Sequence, residues 1–288
     1  MERLSVQKAA LIYFSPHGTS KKSIESVASG LAAAGLHGDY FDAARFIRSG
    51  NTSELYVQLS YYKLLVISSP VYAHHVPPVF GKMLEKIPVL TKDQAVAFVV
   101  NYGGVSSGVA LQELAKMFAV KGFRLLGGIK VAAEHCLMFQ SADPINSGRP
   151  ASGDHQALVS FGRTLVERLT SRDRKEFKVG DFVDKSLGLR VMDSFFFNMS
   201  ATRKVLPPIS INNELCTKCM ICASSCPTAN IEIRNDIQFK DRCINCYQCV
   251  RLCPEKALNA TMDGVEKLLR DLKVRLAKYE TGETLQVV

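Results

Sequence analysis

Short apolar runs and helical spacings alternate along the first 170 residues. Strand candidates lie at 9–14, 37–41, 63–68, 95–101 and 125–133, and most of them are continuous apolar runs, the pattern of strands buried on both faces of a parallel sheet. Between them Ile24, Val27 and Leu31 recur at helical spacing, as do Leu111, Leu114 and Phe118, and then Leu158, Phe161, Leu165 and Leu169. This alternation predicts βαβ units and a five-stranded doubly wound parallel α/β sheet over residues 1–170. Ligands of such sheets sit beyond the carboxyl ends of the strands, where the strand order reverses. The loops after the strands are therefore where chemistry is expected.

The rhythm breaks over 171–208. A charged stretch at 172–178 gives way to an apolar run at 182–199, which contains Phe195, Phe196 and Phe197, and then to Pro207 and Pro208. The run is too apolar for a free linker and too short to span a bilayer, so a connector packed between two domains is expected. A helix lying on a membrane surface is the alternative. In the final segment, 261–288, Val265, Leu268, Leu269, Leu272 and Leu276 recur with charges between them and predict a surface-packed amphipathic helix followed by a tail.

Residues 209–260 carry the strongest chemical signal. Cys216, Cys219, Cys222 and Cys226, followed by Pro227, recur 27 residues later as Cys243, Cys246, Cys249 and Cys253, followed by Pro254. Ile231 recurs as Leu258, so two copies of one unit related by a pseudo-twofold axis are expected. Three thiolates from one tight loop grip three irons of a cubane, and the fourth ligand comes from the other copy. The spacing therefore assigns Cys216, Cys219, Cys222 and Cys253 to one [4Fe-4S] cluster, and Cys243, Cys246, Cys249 and Cys226 to a second. Each proline pushes the cysteine before it out of the helical region and into an extended approach. Structural zinc sites use two pairs of cysteines, not two quartets each ending in Cys-Pro.

Three strand-end loops form a second constellation. After the first strand come Ser15, Pro16, His17, Gly18, Thr19 and Ser20, with a helix expected from near Lys21. Hydroxyls, a glycine and free N–H groups at a helix start suit an anion, although Ser and Thr there also serve as plain N-caps. Tyr72 follows the third strand, and Asn101, Tyr102 and Gly103 follow the fourth. A planar ring can stack on a tyrosine there while backbone groups of the glycine loop bond its edge. The sequence contains no G-x-G-x-x-G and no G-x-x-x-x-G-K-[ST], so neither a dinucleotide loop nor an NTP loop has support. Glu134 and His135 after the fifth strand have two readings, a proton-handling pair and a structural pair; His74, His75 and Cys136 read as structural.

On the cysteine quartets, residues 209–260 resemble a bacterial two-cluster ferredoxin, a small α+β domain. On the loop from Ser15 to Ser20 and those holding Tyr72 and Asn101, the first 170 residues resemble flavodoxin. The order of parts is similar to that of the flavodoxin and ferredoxin fusion proteins of anaerobic microbes. The resemblance implies FMN, with Ser15, His17, Gly18, Thr19 and Ser20 around the phosphate and Tyr72, Asn101, Tyr102 and Gly103 near the ring. His17 departs from the small hydroxyl residue common at its place, as Ser20 does from threonine.

Composition narrows the classes further. The chain has 288 residues, enough for two domains, with 47% apolar and 22% charged residues, an ordinary globular balance. Its formal net charge of +9 is scattered, and no basic stripe with interleaved aromatics marks a nucleic-acid surface. No stretch reaches the length of a membrane span, and the first residues lack the pattern of a signal peptide, so a cytoplasmic location is expected. The favoured expectation is an electron-transfer protein that carries two [4Fe-4S] clusters and FMN and works with redox partner proteins. One rival is a flavin-dependent oxidoreductase acting on a small substrate. Another is a ferredoxin whose flavodoxin-like domain is empty and serves for docking.

Overall fold

The computed structural model describes residues 8–88, 94–172, 177–183, 199–277, 279 and 283–288. Strands β1 (Lys8–Tyr13), β2 (His37–Asp42), β3 (Leu64–Pro70), β4 (Ala95–Tyr102) and β5 (Arg124–Ala132) pair in parallel in the order β2-β1-β3-β4-β5. That is the flavodoxin-like doubly wound order, with its switch point between β1 and β3. The strands fall where continuous apolar runs lie, because β3 and β4 are buried on both faces almost throughout.

Helices α1 (Thr19–Ala33), α2 (Ala43–Ser49), α3 (Thr52–Leu59), α4 (Pro78–Leu84), α5 (Ala110–Val120) and α6 (Ser152–Thr170) follow the strands. Alternate strand residues face opposite ways. Leu11, Val66 and Val99 therefore pack with α1 and α6, while Ile12, Ile67 and Phe98 pack with α3, α4 and α5. Helices α1 and α6 meet at two glycines: a Cβ on Gly30 would collide with the Val159 carbonyl, and one on Gly162 with the Val27 carbonyl. This backbone contact sets how α1 lies on the sheet, and so where its first turn stands at the switch point.

Within 171–208 the described part includes helix α7 (Met199–Val205). The expected packing of Phe195, Phe196 and Phe197 lies outside the described residues. The cysteine-rich segment then folds as β6 (Ser210–Ile211), α8 (Ile221–Ser225), β7 (Ile231–Ile233), β8 (Ile237–Phe239), α9 (Gln248–Leu252) and β9 (Leu258–Asn259). Its backbone repeats as its sequence does. Lys218 and Asn245, Met220 and Tyr247, and Ala229 and Lys256 all hold left-handed φ, at 56° and 52°, 62° and 55°, and 50° and 51°. The antiparallel pair β6–β9 maps onto β8–β7 under the same repeat, as a pseudo-twofold requires.

Helix α10 (Asp263–Leu276) buries Val265, Leu269 and Leu276, matching the expected amphipathic pattern. The chain then returns to the first sheet. Strand β10 (Leu285–Gln286) lies antiparallel on β5, with Leu285 opposite Lys130 and Gln286 opposite Ile129. The sheet thus has six strands and not the expected five, because a two-residue strand is specified by its distant partner and leaves no period in the sequence. No helix among the described residues is long and apolar enough to cross a membrane.

Candidate functional site

The two cysteine quartets assemble in the crossed manner. Cys216, Cys219, Cys222 and Cys253 line one cavity with Ile233, Ile237 and Leu258. Cys226, Cys243, Cys246 and Cys249 line a second with Ile231 and Phe239. Among the described residues no group of three or more His, Cys, Asp or Glu side chains is gathered as ligands of one metal ion. Burial pushes the Cys249 thiol up to about 12, with Cys243 and Cys226 adding to the effect, and it pushes Cys246 up further still. A cationic centre is what would hold such buried sulfurs as thiolates.

The copies differ in setting. Cys219 is exposed, as are Thr217 and Lys218 beside it. Its counterpart Cys246 is buried, and Cys246 and Ile244 belong to the same core as Ile12 and Phe14. We call the Cys216 quartet outer and the Cys243 quartet inner.

The loop after β1 starts α1 without a side-chain cap. Gly18 takes the N-cap place at φ 85°, a left-handed conformation natural to glycine, and as glycine it brings no capping side chain of its own. The Ser15 hydroxyl accepts from Lys21 N–H at 3.0 Å, which curls the loop over the helix start. The helix opens at Thr19, two residues before the expected point, because Gly18 already supplies its entry turn. Ser15, His17, Thr19 and Ser20 line a cavity of about 60 Å³ with Tyr72, Asn101, Tyr102, Gly103 and His135.

A larger cavity of about 330 Å³ continues past Tyr72, Gly103, His135 and Cys136, which line both. Its far walls come from α7 (Thr202, Val205), from the inner cysteine loop (Ile244, Asn245) and from α10 (Leu268, Leu269, Leu272). No Asp, Glu, Lys or Arg lines it among the described residues. Tyr72 is held by a tight turn in which Tyr72 and His75 exchange backbone hydrogen bonds of 2.9 and 3.0 Å, while Ala73 and His74 turn at positive φ. His75 is tied to Glu113 at 2.5 Å. The Tyr72 hydroxyl is buried and has no hydrogen-bond partner among the described residues, a condition that costs roughly 1–3 kcal/mol unless a ligand meets it.

Other expected ring or phosphate residues are spent on the scaffold. Asn101 Nδ2 donates to the hydroxyls of Ser20 and Ser68, and its Oδ1 accepts from Ser23 at 2.6 Å, so it ties α1 to β3 and β4. Tyr102 donates its hydroxyl to the Glu283 carbonyl at 2.7 Å and has Lys130 over its ring. Its ring is 1% exposed and borders the smaller cavity. Gly103 is small because His135 packs against it. Burial holds His135 down at about 4, so it stands neutral, and it raises the Cys136 thiol to about 11.

Contacts missed by sequence reasoning seat the cysteine module on the sheet. His17 Nε2 donates to the Cys246 carbonyl at 2.8 Å, since a carbonyl only accepts. Burial lowers His17 to about 4, with Arg251 adding to the effect, so the bond is that of a neutral imidazole. Arg203 donates to the Cys243 carbonyl, Arg48 to the Ser224 carbonyl at 3.0 Å and Arg251 to the Cys136 carbonyl at 3.3 Å. Tyr247 donates to the Pro207 carbonyl at 2.6 Å.

Residues 208–254 match the family of 4Fe-4S dicluster domains. No curated protein sequence matches the chain. Among solved structures it is similar to a flavodoxin from the domain Archaea, at 16% identity over 57% of this chain and 100% of that one, with a TM-score of 0.42. It is similar to a diflavin flavoprotein from Nostoc sp., at 16% identity over 58% and 95%, with a TM-score of 0.39. It is also similar to a flavodiiron core from Synechocystis sp., at 19% identity and a TM-score of 0.43, covering 58% of this chain and 36% of that one. The chain thus spans about a third of the length of the flavodiiron core. Strand order and the matched module define the class: an iron–sulfur module joined to a flavodoxin-like sheet.

Proposed function

We propose that the protein is an electron carrier that binds two [4Fe-4S] clusters and FMN and passes electrons among them and a redox partner protein. The observation that carries this reading is the shared wall: Ile244 and Asn245, inside the inner quartet, line the cavity that Tyr72 borders. A flavin ring there stands beside a cluster loop, with no charged side chain of the described residues in its cavity. Cys216, Cys219, Cys222 and Cys253 would hold the outer cluster, and Cys226, Cys243, Cys246 and Cys249 the inner one.

Two unmet needs of the protein suit FMN. The first turn of α1 offers the N–H groups of Thr19 and Ser20 to a phosphate, and among the described residues the buried Tyr72 hydroxyl lacks a partner. When bound, clusters supply one-electron and flavin one- or two-electron chemistry, while the protein sets burial, orientation and hydrogen bonding. Anaerobic purification with iron, sulfide and flavin analysis tests the reading. About eight irons, eight sulfides and one FMN per chain are expected, and zinc without sulfide would sink it.

A second reading, reduction of a small substrate at the flavin, is favoured by the size of the 330 Å³ cavity, which falls in the range of small-molecule sites. Its uncharged wall suits a neutral, apolar molecule. Turnover of such an acceptor by reduced protein would separate the two.

A further inference from the structure

The flavin and inner cluster sites meet at one hydrogen bond. His17 sits in the loop whose next residue, Gly18, opens α1, yet its imidazole reaches Cys246 in the other module, 229 positions away, and donates to that carbonyl at 2.8 Å. The bond ties together two backbones with separate tasks. On one side stands the loop that opens α1, in which the Gly18 N–H closes a turn on the Ser15 carbonyl at 3.3 Å while Ser15, Thr19 and Ser20 line the smaller cavity. On the other, the peptide after Cys246 belongs to a loop that grips iron.

The cysteine loop has reason to move when it is empty. Asn245 and Tyr247, on either side of Cys246, hold φ of 52° and 55°. A left-handed conformation costs a side-chain-bearing residue free energy and persists where the surroundings over-determine it. Ligation at Cys243, Cys246 and Cys249 is such a constraint. Without it the loop relaxes, the Cys246 carbonyl leaves His17, and Ile244 and Asn245 withdraw from the cavity wall. Among the described residues the outer quartet makes no such bond to the loop before α1: Cys219, the counterpart of Cys246, is exposed, and the outer half is tied instead through Arg48 to the Ser224 carbonyl at 3.0 Å.

We propose that His17 is a positioning residue that clasps the inner cysteine loop to the flavin phosphate loop, so that FMN is held tightly only while the inner quartet holds its cluster. The outer quartet is outside this coupling. The proposal rests on the reading of FMN and two clusters given above.

The test titrates full-length, anaerobically reconstituted protein with FMN by fluorescence quenching, beside an iron assay. Cys249→Ser weakens FMN binding about ten-fold or more, whereas Cys219→Ser changes it by less than about two-fold. His17→Ala weakens it about ten-fold with iron content retained. His17→Gln, which keeps an N–H donor at similar reach, recovers most of the affinity. Coupling is reciprocal, so FMN slows loss of iron to a chelator in wild type and not in His17→Ala. Unchanged affinity in His17→Ala, or equal affinity in Cys219→Ser and Cys249→Ser, overturns the proposal. Should His17→Ala fail to fold, the two cysteine variants decide alone. Wild-type protein that binds no FMN overturns instead the reading beneath it.

Discussion

Met220 and Tyr247 hold the same place in the two copies of the cysteine repeat and share a left-handed backbone, yet Met220 is 47% exposed and Tyr247 is 1% exposed. One duplicated loop faces solvent and its twin faces the sheet. Tyr247 could be large and buried because Phe139 and the Pro207 carbonyl receive it. Solvent exposure and hydrogen bonding to the sulfurs tune a cluster, so equal ligand sets stand in unequal surroundings.

Iron is therefore expected to leave in two phases when oxidised protein meets a chelator. The fast phase belongs to the outer quartet and carries about half of the iron. Cys219→Ser should remove the fast phase and spare the slow one. A single phase in the wild type would show that the two environments are equivalent.

Tyr72→Phe should act with opposite signs on two measurements. Deleting a buried hydroxyl that has no partner raises the melting stability of flavin-free protein by about 1 kcal/mol, while FMN binding weakens several-fold because the ligand loses a donor. Thermal melts and fluorescence titration give the two numbers. Loss of stability would show that the hydroxyl is met within the protein.

Gly162→Ala should destabilise by about 1–3 kcal/mol, since the new methyl meets the Val27 carbonyl, which belongs to helix backbone and cannot yield. It should also weaken FMN, because α1 carries the phosphate loop. Gly153→Ala, with nothing near it, is the control for helix propensity.

Arg149 holds Asp154 in a two-pronged pair at 2.9 and 2.5 Å. Burial raises the Asp154 carboxyl, but the Arg149 bond, joined by Thr284 and the Ala151 N–H, brings it down to about 2. A depressed value in the folded state means that this contribution is complete above the ordinary carboxylate value of about 4 and is lost as pH falls toward 2. Arg149→Ala removes the pull and leaves the burial, so its carboxyl rises. The variant should be less stable by on the order of 2 kcal/mol at neutral pH, with the gap to wild type narrowing as pH falls through about 4 toward 2. Melts across that range would refute this if the gap stayed constant.

The strands and quartets were legible because each has a local signal: continuous apolar runs for β1, β3 and β4, and a fixed 27-residue offset for the cysteines. The loop from Ser15 to Gly18 was legible as a place but not in its bonding. Nothing near His17 in the sequence points to Cys246, and nothing near Tyr102 points to Glu283. The large cavity is likewise composed of segments from Tyr72 to Leu272, so its wall is a product of tertiary packing. Asn101, expected near a ring, does line the smaller cavity, and its amide also bonds three serine hydroxyls and the Ser69 carbonyl, a network that no single-residue propensity encodes.

Strand β10 changes how the iron–sulfur module is moored. Val287 N–H bonds the Gly128 carbonyl at 2.9 Å, and Gly128 N–H bonds the Val288 carbonyl at 3.2 Å, so the chain that leaves the sheet after α6 is stitched back to it. The module is a detour with two anchorages, not a bead on a single string. Swinging it away from the sheet by a wide arc would first require unzipping an edge strand, which confines ordinary motion to small rocking about a fixed seat.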